Sequence, residues 1–543
     1  MEKNKYILLF LCLCPILIFA KANSEKYIVY FKDKPTNVNI EHLFSSKALE
    51  KRKQKHIEFD ERDFPINNNY IELLKLKKVT VLNQSNWLNA VLISGTEKSI
   101  SKLKSLAFIS SVTKIEKSKE CNISNVQEIN ECKESNDVLG FEDNYGSSYA
   151  QFHLLNGEYL HEQGYNGENM TIAICDAGFR NANINTGLSA VFSENRMLGF
   201  YDYVHNDSTV FTVSDDAHGA NCFSFIAGVK SNQYIGTASK SKFYLFQTEN
   251  NDNGSERLQE EFNLATALER CDQLGVDVIS ISLGYTTFDV ASENHDTSDM
   301  KKNVTPAAKA ANIASSKGML VCVSAGNEGT RTWHYISTPA DADSAFAIAS
   351  VDINGIPSSF SSYGLATDIR VKPNVAAVGQ SVNFINTSGT ISAGSGTSFA
   401  CPSLAGMATC LWQAFPTKTN WEIKTAIEQS ASQYLTPDKK IGYGIPDFRK
   451  AYDMLRLASF ASDNKLEKEF TVFPNPFQNV IQINNNGIST IQQVQIFNNL
   501  GQVILTQNTP TSNAIVINDL PKGLYVLQLS TDKGLIVKKL LKD

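Results

Sequence analysis

The sequence predicts an α/β fold for the middle of the chain, with a small α+β unit before it and a β-sandwich after it. Two runs, 171–178 and 320–329, pass from apolar residues to a polar residue and a glycine. Such runs are typical of buried parallel strands, and α/β proteins place their sites where such strands end. After residue 470, short strand patterns alternate with turn residues, which predicts a β-sandwich.

Length and composition set limits on function. The chain has 543 residues, of which 42% are hydrophobic, enough for three folded units and unlike a disordered chain. A net charge of -6 and the lack of a basic aromatic stripe argue against nucleic-acid binding. The sequence contains no Walker-type phosphate loop, no His-Glu-x-x-His and no EF-hand loop.

The first segment, residues 1–22, predicts a secretory signal peptide cleaved after Ala22. It has lysines near its start, an apolar run and a final Ala-Lys-Ala. A membrane anchor is the alternative, but the run is shorter than the roughly 20 residues that span a bilayer. A lipoprotein site at Cys12 or Cys14 is disfavoured because leucine precedes each cysteine.

The next segment predicts a separate α+β unit, in which basic residues outnumber acidic ones. The strand and helix patterns extend to residue 115. Strands are predicted at 27–31, 79–82, 87–93 and 109–115, with a threonine-capped helix at 96–106.

A candidate nucleophile is Ser398, in the first turn of a predicted helix that continues into the apolar run 405–415. Gly396 allows a tight turn before this helix, and the free N–H groups of the helix N-terminus can receive an oxyanion. Pro402 is expected in the same first turn, where its missing donor is harmless. The alternative is that Ser398 is an ordinary N-cap.

Three further segments present side chains that can activate a serine. Asp176 ends the first apolar run, His218 begins a small-residue helix, and Asn327 follows the second apolar run. Each has a structural explanation when taken alone: a strand end, a structural histidine or a plain turn. Together they predict a serine hydrolase site.

The order Asp176, His218, Asn327, Ser398 resembles the subtilisin-like serine protease family, and the resemblance covers about 151–455. Supporting blocks lie at 279–284, 359–364, 372–377 and 442–447. The family implies a doubly wound, mostly parallel sheet for a catalytic domain placed at 151–457.

The resemblance also implies residue roles. Ser398 would attack the scissile carbonyl, His218 would move the proton, and Asp176 would orient the imidazole. The Asn327 amide and the Ser398 N–H would form the oxyanion hole. Polypeptide substrates would bind along five residues: Ser282, Leu283, Gly284, Gly326 and Glu328. No cofactor is required for the chemistry, and structural calcium is expected from the family only.

Three residues depart from the family pattern. Ala177 follows the acid, where Ser or Thr is usual, and Ala220 stands where Thr is usual, so supporting hydrogen bonds are expected to be missing. Phe399 replaces the usual methionine after the nucleophile, which predicts tolerance to peroxide and a tighter leaving-group side.

The cysteines invite a thiol or metal hypothesis, since Cys175 adjoins Asp176 and Cys222 lies one helical turn after His218. The six cysteines from 175 to 410 are scattered in apolar contexts, so buried free thiols are the favoured interpretation. Cys222 resembles the thiol of a mercury-sensitive branch of the family. A disulfide is expected only between Cys121 and Cys132.

The flanking units resemble known companions of this family. Residues 23–118 resemble its inhibitory propeptide, with a permanent accessory domain as the alternative, and cleavage is expected in the processing linker 119–150. A linker is predicted at 458–469. Residues 470–543 resemble the C-terminal sorting domain of the type IX secretion system of Bacteroidetes, with a generic Ig-like binding module as the alternative.

These resemblances imply a secreted or surface-attached serine endopeptidase, exported through the periplasm and made as a self-inhibited precursor. Its expected partners are polypeptide substrates, its own propeptide and the type IX machinery, and a monomer is expected. Two alternatives stay open: an inactive binding scaffold of the same fold, and a transpeptidase or ester hydrolase using the same triad.

Overall fold

The computed structural model describes residues 24–36, 38–115, 145–212, 216–250, 257–301, 303–460, 469–487, 489–498, 501–510, 512–518, 520–532 and 534–543. The predicted signal peptide, most of the processing linker and the predicted Cys121–Cys132 disulfide lie outside these residues. Within the described ranges, no helix has the length and apolar character needed to cross a membrane.

The N-terminal unit is a four-stranded antiparallel sheet with three helices, in the strand order β2-β3-β1-β4. Its elements are β1 (Glu25–Phe31), α1 (Ser46–Lys55), α2 (Asn68–Leu76), β2 (Thr80–Ser85), β3 (Ala90–Gly95), α3 (Glu97–Ser101) and β4 (Ile109–Ile115). The Thr96 hydroxyl accepts a hydrogen bond from Ser99 N, so the threonine cap is confirmed. The strand predicted at 87–93 begins instead at Ala90, because Trp87 lies in a turn and packs into the central unit.

The central unit is built on a seven-stranded parallel sheet, in the order β13-β12-β11-β10-β5-β9-β6. Its elements are α4 (Tyr149–His153), α5 (Glu158–Glu162), β5 (Thr171–Asp176), α6 (Ser189–Ser193), β6 (Met197–Asp202), α7 (His218–Ala227), β7 (Val229–Lys230), β8 (Tyr234–Ile235), β9 (Lys242–Gln247), α8 (Leu258–Leu274), β10 (Val278–Ile281), α9 (Pro306–Ser316), β11 (Leu320–Ser324), β12 (Phe346–Val351), β13 (Val375–Val378), β14 (Val382–Ile385), β15 (Ile391–Gly394), α10 (Thr397–Ala414), α11 (Asn420–Ser430) and α12 (Phe448–Phe460).

Helices cover both faces of this sheet, as the doubly wound prediction requires. Successive residues of β5 face opposite sides, so Ile172 and Ile174 join the core that contains α7 and α10. Ala173 and Cys175 join the core beneath α8 and α9. The sheet is thus buried on both faces, which explains why its strands read as continuous apolar runs.

The C-terminal unit has two antiparallel sheets of three and four strands around a core of its own. The strands are β16 (Phe470–Phe473), β17 (Val480–Asn485), β18 (Ile491–Phe497), β19 (Val503–Asn508), β20 (Ala514–Val516), β21 (Gly523–Thr531) and β22 (Gly534–Lys542). Helix α12 continues to Phe460, three residues into the predicted linker 458–469. That part of the linker prediction is wrong, because the helix continues past residue 458, where the predicted linker begins.

The N-terminal unit docks on the central unit through buried ion pairs, here called the interface network. Arg52 Nη2 lies 2.9 Å from Asp63 Oδ1 and 2.5 Å from Asp272 Oδ2 on α8. Lys317, at the end of α9, places Nζ 2.6 Å from Asp63 Oδ2 and 2.8 Å from Asp60 Oδ2. Two positive and three negative side chains therefore alternate across this contact.

Candidate active site

Strand β5 and helix α7 bring a carboxylate and an imidazole together at the carboxyl edge of the sheet. Asp176, the last residue of β5, is fully buried, and its Oδ1 lies 2.7 Å from Nδ1 of His218, the first residue of α7. Gly219 permits this approach, because a β-carbon there would lie 2.7 Å from Asp176 Cβ and would collide with Gly178 O.

The environment of His218 favours the charged imidazolium. Burial opposes the charge, but the neighbouring Asp176 carboxylate outweighs it and raises the pKa of His218 well above its ordinary value. A hydrogen bond from Nδ1 to Asp176 leaves Nε2 as the basic nitrogen. The His218 main-chain N–H donates to Asp216 Oδ1 at 2.6 Å, which fixes the start of the helix.

The second carboxylate oxygen of Asp176 lacks a hydrogen bond, which fits the presence of alanine at position 177. Ala177 N donates to Asp176 Oδ1 at 2.8 Å, whereas Oδ2 is buried and has no hydrogen-bond partner. Ala177 has no hydroxyl to supply the missing bond. The orientation of Asp176 therefore depends on one oxygen only.

Ser398 is the second residue of α10, and Gly396 is the N-cap, so the reading of Ser398 as an ordinary N-cap is wrong. Pro402 lies in the second turn of α10, not in the first turn as predicted. Because Pro402 has no N–H, it leaves the Ser398 carbonyl without a helical donor. That carbonyl instead accepts hydrogen bonds from Ser282 Oγ at 2.9 Å and Cys222 Sγ at 3.3 Å.

The Ser398 hydroxyl itself donates to the Ser282 carbonyl oxygen over 3.4 Å. Rotation about its Cα–Cβ bond would be needed to turn it to His218 Nε2. Cys222 Sγ lies 3.8 Å from Nδ1 and 4.0 Å from Nε2 of His218. Burial raises the pKa of the Cys222 thiol, which keeps it protonated. The six cysteines within the described residues are free and buried, as predicted.

Asn327 is held by Thr397, the residue next to Ser398. Its Oδ1 accepts hydrogen bonds from Thr397 N at 3.0 Å and from Thr397 Oγ1 at 2.9 Å. Thr397 Oγ1 also accepts a bond from Gly326 N at 3.2 Å. The Nδ2 amide of Asn327 lies close to the N-terminus of α10, since a β-carbon built on Gly396 would lie 3.8 Å from it. Thr397 was not predicted as a site residue, although its place directly before Ser398 could have suggested it.

Two of the residues predicted to bind substrate, Ser282 and Gly326, contact this N-terminus. Ser282 and Gly284 follow β10, and Ser282 is bonded to Ser398 as described above. Leu283, between them, is buried in the α8–α9 core. Gly326 has φ +102°, a conformation that a side chain would strain. Glu328 pairs with Arg331 across 3.2 Å.

A bound metal ion needs several ligand atoms that lie close together. One group of at least three acidic, His or Cys side chains has ligand atoms within reach of a single ion, and it consists of Asp176, His218 and Cys222. Calcium takes oxygen ligands, so an imidazole and a thiol do not suit it. These described side chains therefore do not fit the calcium that the resemblance implies.

Comparison with known families matches three parts of the chain. Residues 167–444 match the Subtilase family. Residues 26–132 match the Peptidase S8 propeptide domain, Bacteroidota, and residues 471–543 match the Secretion system C-terminal sorting domain.

Two curated proteins illustrate the similarity of the central unit. Thermitase of Thermoactinomyces vulgaris is 30% identical over 261 residues, which are 47% of this chain and 82% of thermitase. Subtilisin DY of Bacillus licheniformis is 26% identical over 281 residues, which are 51% of this chain and 89% of that protein.

Proposed function

This chain belongs to the subtilase family, and on that premise we propose that it hydrolyses peptide bonds through a triad of Ser398, His218 and Asp176. The chain is a serine endopeptidase with a propeptide domain and a secretion sorting domain, destined for the cell surface or exterior. The observation that carries the triad is the 2.7 Å contact between Asp176 Oδ1 and His218 Nδ1 beside the N-terminus that bears Ser398.

In this mechanism Ser398 Oγ turns to His218 Nε2, gives up its proton and attacks the scissile carbonyl. His218 then protonates the leaving amine, and the acyl-enzyme is resolved by water. Asp176 stabilises the imidazolium formed in both steps. The raised pKa of His218 supports this role, because it reports the same carboxylate–imidazolium attraction.

The developing oxyanion would be received by the Asn327 side-chain amide and the Ser398 main-chain N–H. The anchoring of Asn327 Oδ1 by Thr397 supports this, since a preorganised donor costs no reorganisation during the reaction. Substrate main chain would lie along Ser282, Leu283 and Gly284, leaving side-chain selection to the adjoining pocket.

The flanking units complete the proposal. The propeptide unit would keep the precursor inactive until it is cut, and the sorting domain would bring the chain to the type IX machinery for transport across the outer membrane. The chemistry requires no cofactor. Structural calcium stays an expectation from the family resemblance, since calcium also takes main-chain carbonyl oxygens as ligands.

The test is fluorophosphonate labelling of the purified secreted protein, with the intact mass recorded for wild type and Ser398→Ala. We expect label on the wild type only, and a mass that has lost the residues before about Tyr149. A fully matured wild type that takes no label would contradict the proposed triad and favour an inactive scaffold.

A further inference from the structure

The end of strand β9 places Gln247 beside Asp176. The two residues are paired in the parallel ladder between β5 and β9. Paired residues of neighbouring strands point to the same face of a sheet, and their main chains lie about 5 Å apart. Two residues earlier on these strands, Ile174 and Leu245 both belong to the core that contains α7 and α10. The Gln247 side chain therefore lies on the face that carries Asp176 and His218.

Both of these polar residues are buried, and each has an oxygen without a hydrogen-bond partner. Asp176 is fully buried, and Gln247 is 4% exposed. The two unpartnered atoms are Asp176 Oδ2 and Gln247 Oε1. Buried polar atoms are normally hydrogen-bonded, so two unpartnered atoms at paired positions require an explanation. A donor placed between the two strands would satisfy the carboxylate.

The carboxylate on the other side of Gln247 already has its hydrogen bonds. Asp202, at the end of β6, is paired with Gln247 in the same row. Its Oδ1 accepts hydrogen bonds from the main-chain N–H groups of Val204 and His205. Its Oδ2 lies 2.7 Å from His205 Nδ1. Of the two carboxylates that flank Gln247, Asp176 is the one that keeps an oxygen without a partner.

The main chain of Gln247 is fixed, whereas its terminal amide can turn. The Gln247 carbonyl accepts a hydrogen bond from Tyr203 N at 2.9 Å, and β9 is paired with a strand on each side. The last torsion of a glutamine side chain is broad, so the carboxamide can direct an N–H group to Asp176 Oδ2. Ala177 does not compete for this oxygen, because it has no hydroxyl.

We propose that Gln247 is a positioning residue, whose carboxamide N–H holds Asp176 Oδ2 while Asp176 Oδ1 binds His218. The glutamine thus does what a hydroxyl on residue 177 would otherwise do, and it acts from the neighbouring strand. This inference rests on the proposed function, because Asp176 contributes to the reaction through His218.

The first test compares kcat of the matured protein in wild type, Gln247→Met, Ala177→Ser and the double variant. Methionine keeps the volume of the side chain and removes the amide. We expect Gln247→Met to lower kcat about 3- to 10-fold. The gain from Ala177→Ser should be at least about 2-fold larger in the Gln247→Met background than in wild type, because either side chain can serve the same oxygen. Gln247→Leu is measured as a second apolar variant.

The second test separates positioning from packing by the pH profile. An N–H bonded to Asp176 disperses its negative charge, so losing that bond should strengthen the attraction to the imidazolium and raise the pKa of His218. The acidic limb of kcat/KM should therefore move up by about 0.5 pH unit in Gln247→Met and return in the double variant. The titratable groups beside His218 are Asp176 and Cys222, and the thiol stays protonated.

Gln151→Met is the matched control, because Gln151 is also buried but its Oε1 accepts from Asn383 N. It should keep the wild-type kcat and acidic limb. An equal gain from Ala177→Ser in both backgrounds would overturn the inference while leaving the proposed function intact. So would an acidic limb that stays in place in Gln247→Met and Gln247→Leu. Absence of turnover and of fluorophosphonate label in every form, wild type included, would instead overturn the proposed function.

Discussion

Thr397 connects Ser398, the proposed nucleophile, to Asn327, the proposed oxyanion donor, with one N–H and one hydroxyl that both bond to Asn327 Oδ1. We expect Asn327→Ala to lower kcat about 10²- to 10³-fold with little change in KM, because the lost donor acts mainly on the transition state.

Thr397→Val should lower kcat by about 10-fold, because it removes one of the two anchoring bonds.

Thr409→Val provides the matched control for Thr397→Val. Thr409 is a buried threonine on the same helix, but its hydroxyl bonds to the Ala405 carbonyl. Steady-state kinetics should give wild-type kcat for this control. Equal losses in Thr397→Val and Thr409→Val would show that helix packing, and not the anchoring of Asn327, controls turnover.

The raised pKa of His218 leads to a prediction of how activity depends on pH. A general base must be unprotonated, and the carboxylate beside it raises its pKa, so kcat/KM should increase as pH rises through that raised value. Asp176→Asn removes the carboxylate, and should both reduce kcat and move the acidic limb of the profile to lower pH. An acidic limb at the same pH in both proteins would mean that another group controls it.

A substitution at Ala177 is expected to increase kcat. In Ala177→Ser, the new hydroxyl can donate to the buried, unpartnered Asp176 Oδ2. We expect kcat to rise by about 2- to 5-fold, since one further hydrogen bond would orient Asp176 more firmly. Ala190→Ser on α6 serves as the control and should match wild type. A fall in kcat for Ala177→Ser would show that the site has no room for the hydroxyl.

Among the elements, α8 and α9 form the face on which the N-terminal unit rests. The Arg52 guanidinium lies over the adjacent rings of Phe44 and Phe59, at 4.7 and 4.6 Å from the two ring centroids, and it reaches Asp272 on α8. Burial raises the pKa of Asp272 to about 6, which reflects how little solvent reaches the interface network. Removing one partner of such a buried pair leaves the other charge uncompensated.

Lys317→Met is therefore expected to weaken docking of the N-terminal unit and to release active enzyme earlier. The half-time to full activity should shorten by at least about 10-fold, as followed by peptide hydrolysis and intact mass. Lys309→Met, at an exposed position on α9, is the control. An unchanged half-time and yield in Lys317→Met would show that the interface network does not set the rate of release.

Prediction of the elements succeeded where local patterns were strong. Strand β5 is predicted correctly because it is apolar from Ile172 to Cys175, and the start of α3 because Thr96 caps it. Helices α1 and α2 were not predicted. Helix α1 is almost entirely polar or charged and shows little apolar periodicity. Strand β22 is not predicted as a separate strand, because its lysines interrupt the apolar pattern.

At the scale of the whole molecule, the C-terminal unit has a hydrophobic core drawn entirely from its own residues. Deletion of 469–543 should therefore leave a folded, labelled protease that accumulates in the periplasm instead of reaching the cell exterior. Fractionation followed by fluorophosphonate labelling measures this. Equal export of the full chain and the truncated chain would show that the sorting domain is dispensable.

The order of the three units could be predicted from the sequence alone. So could the candidates Asp176, His218, Asn327 and Ser398, because each lies at a terminus of a local strand or helix pattern. Tertiary structure alone decided which side chains support them. The bond from Ser282 to Ser398 and the ion pairs of the interface network join residues far apart in the chain. Local periodicity records which face of an element is buried, but not which distant residue is packed against it.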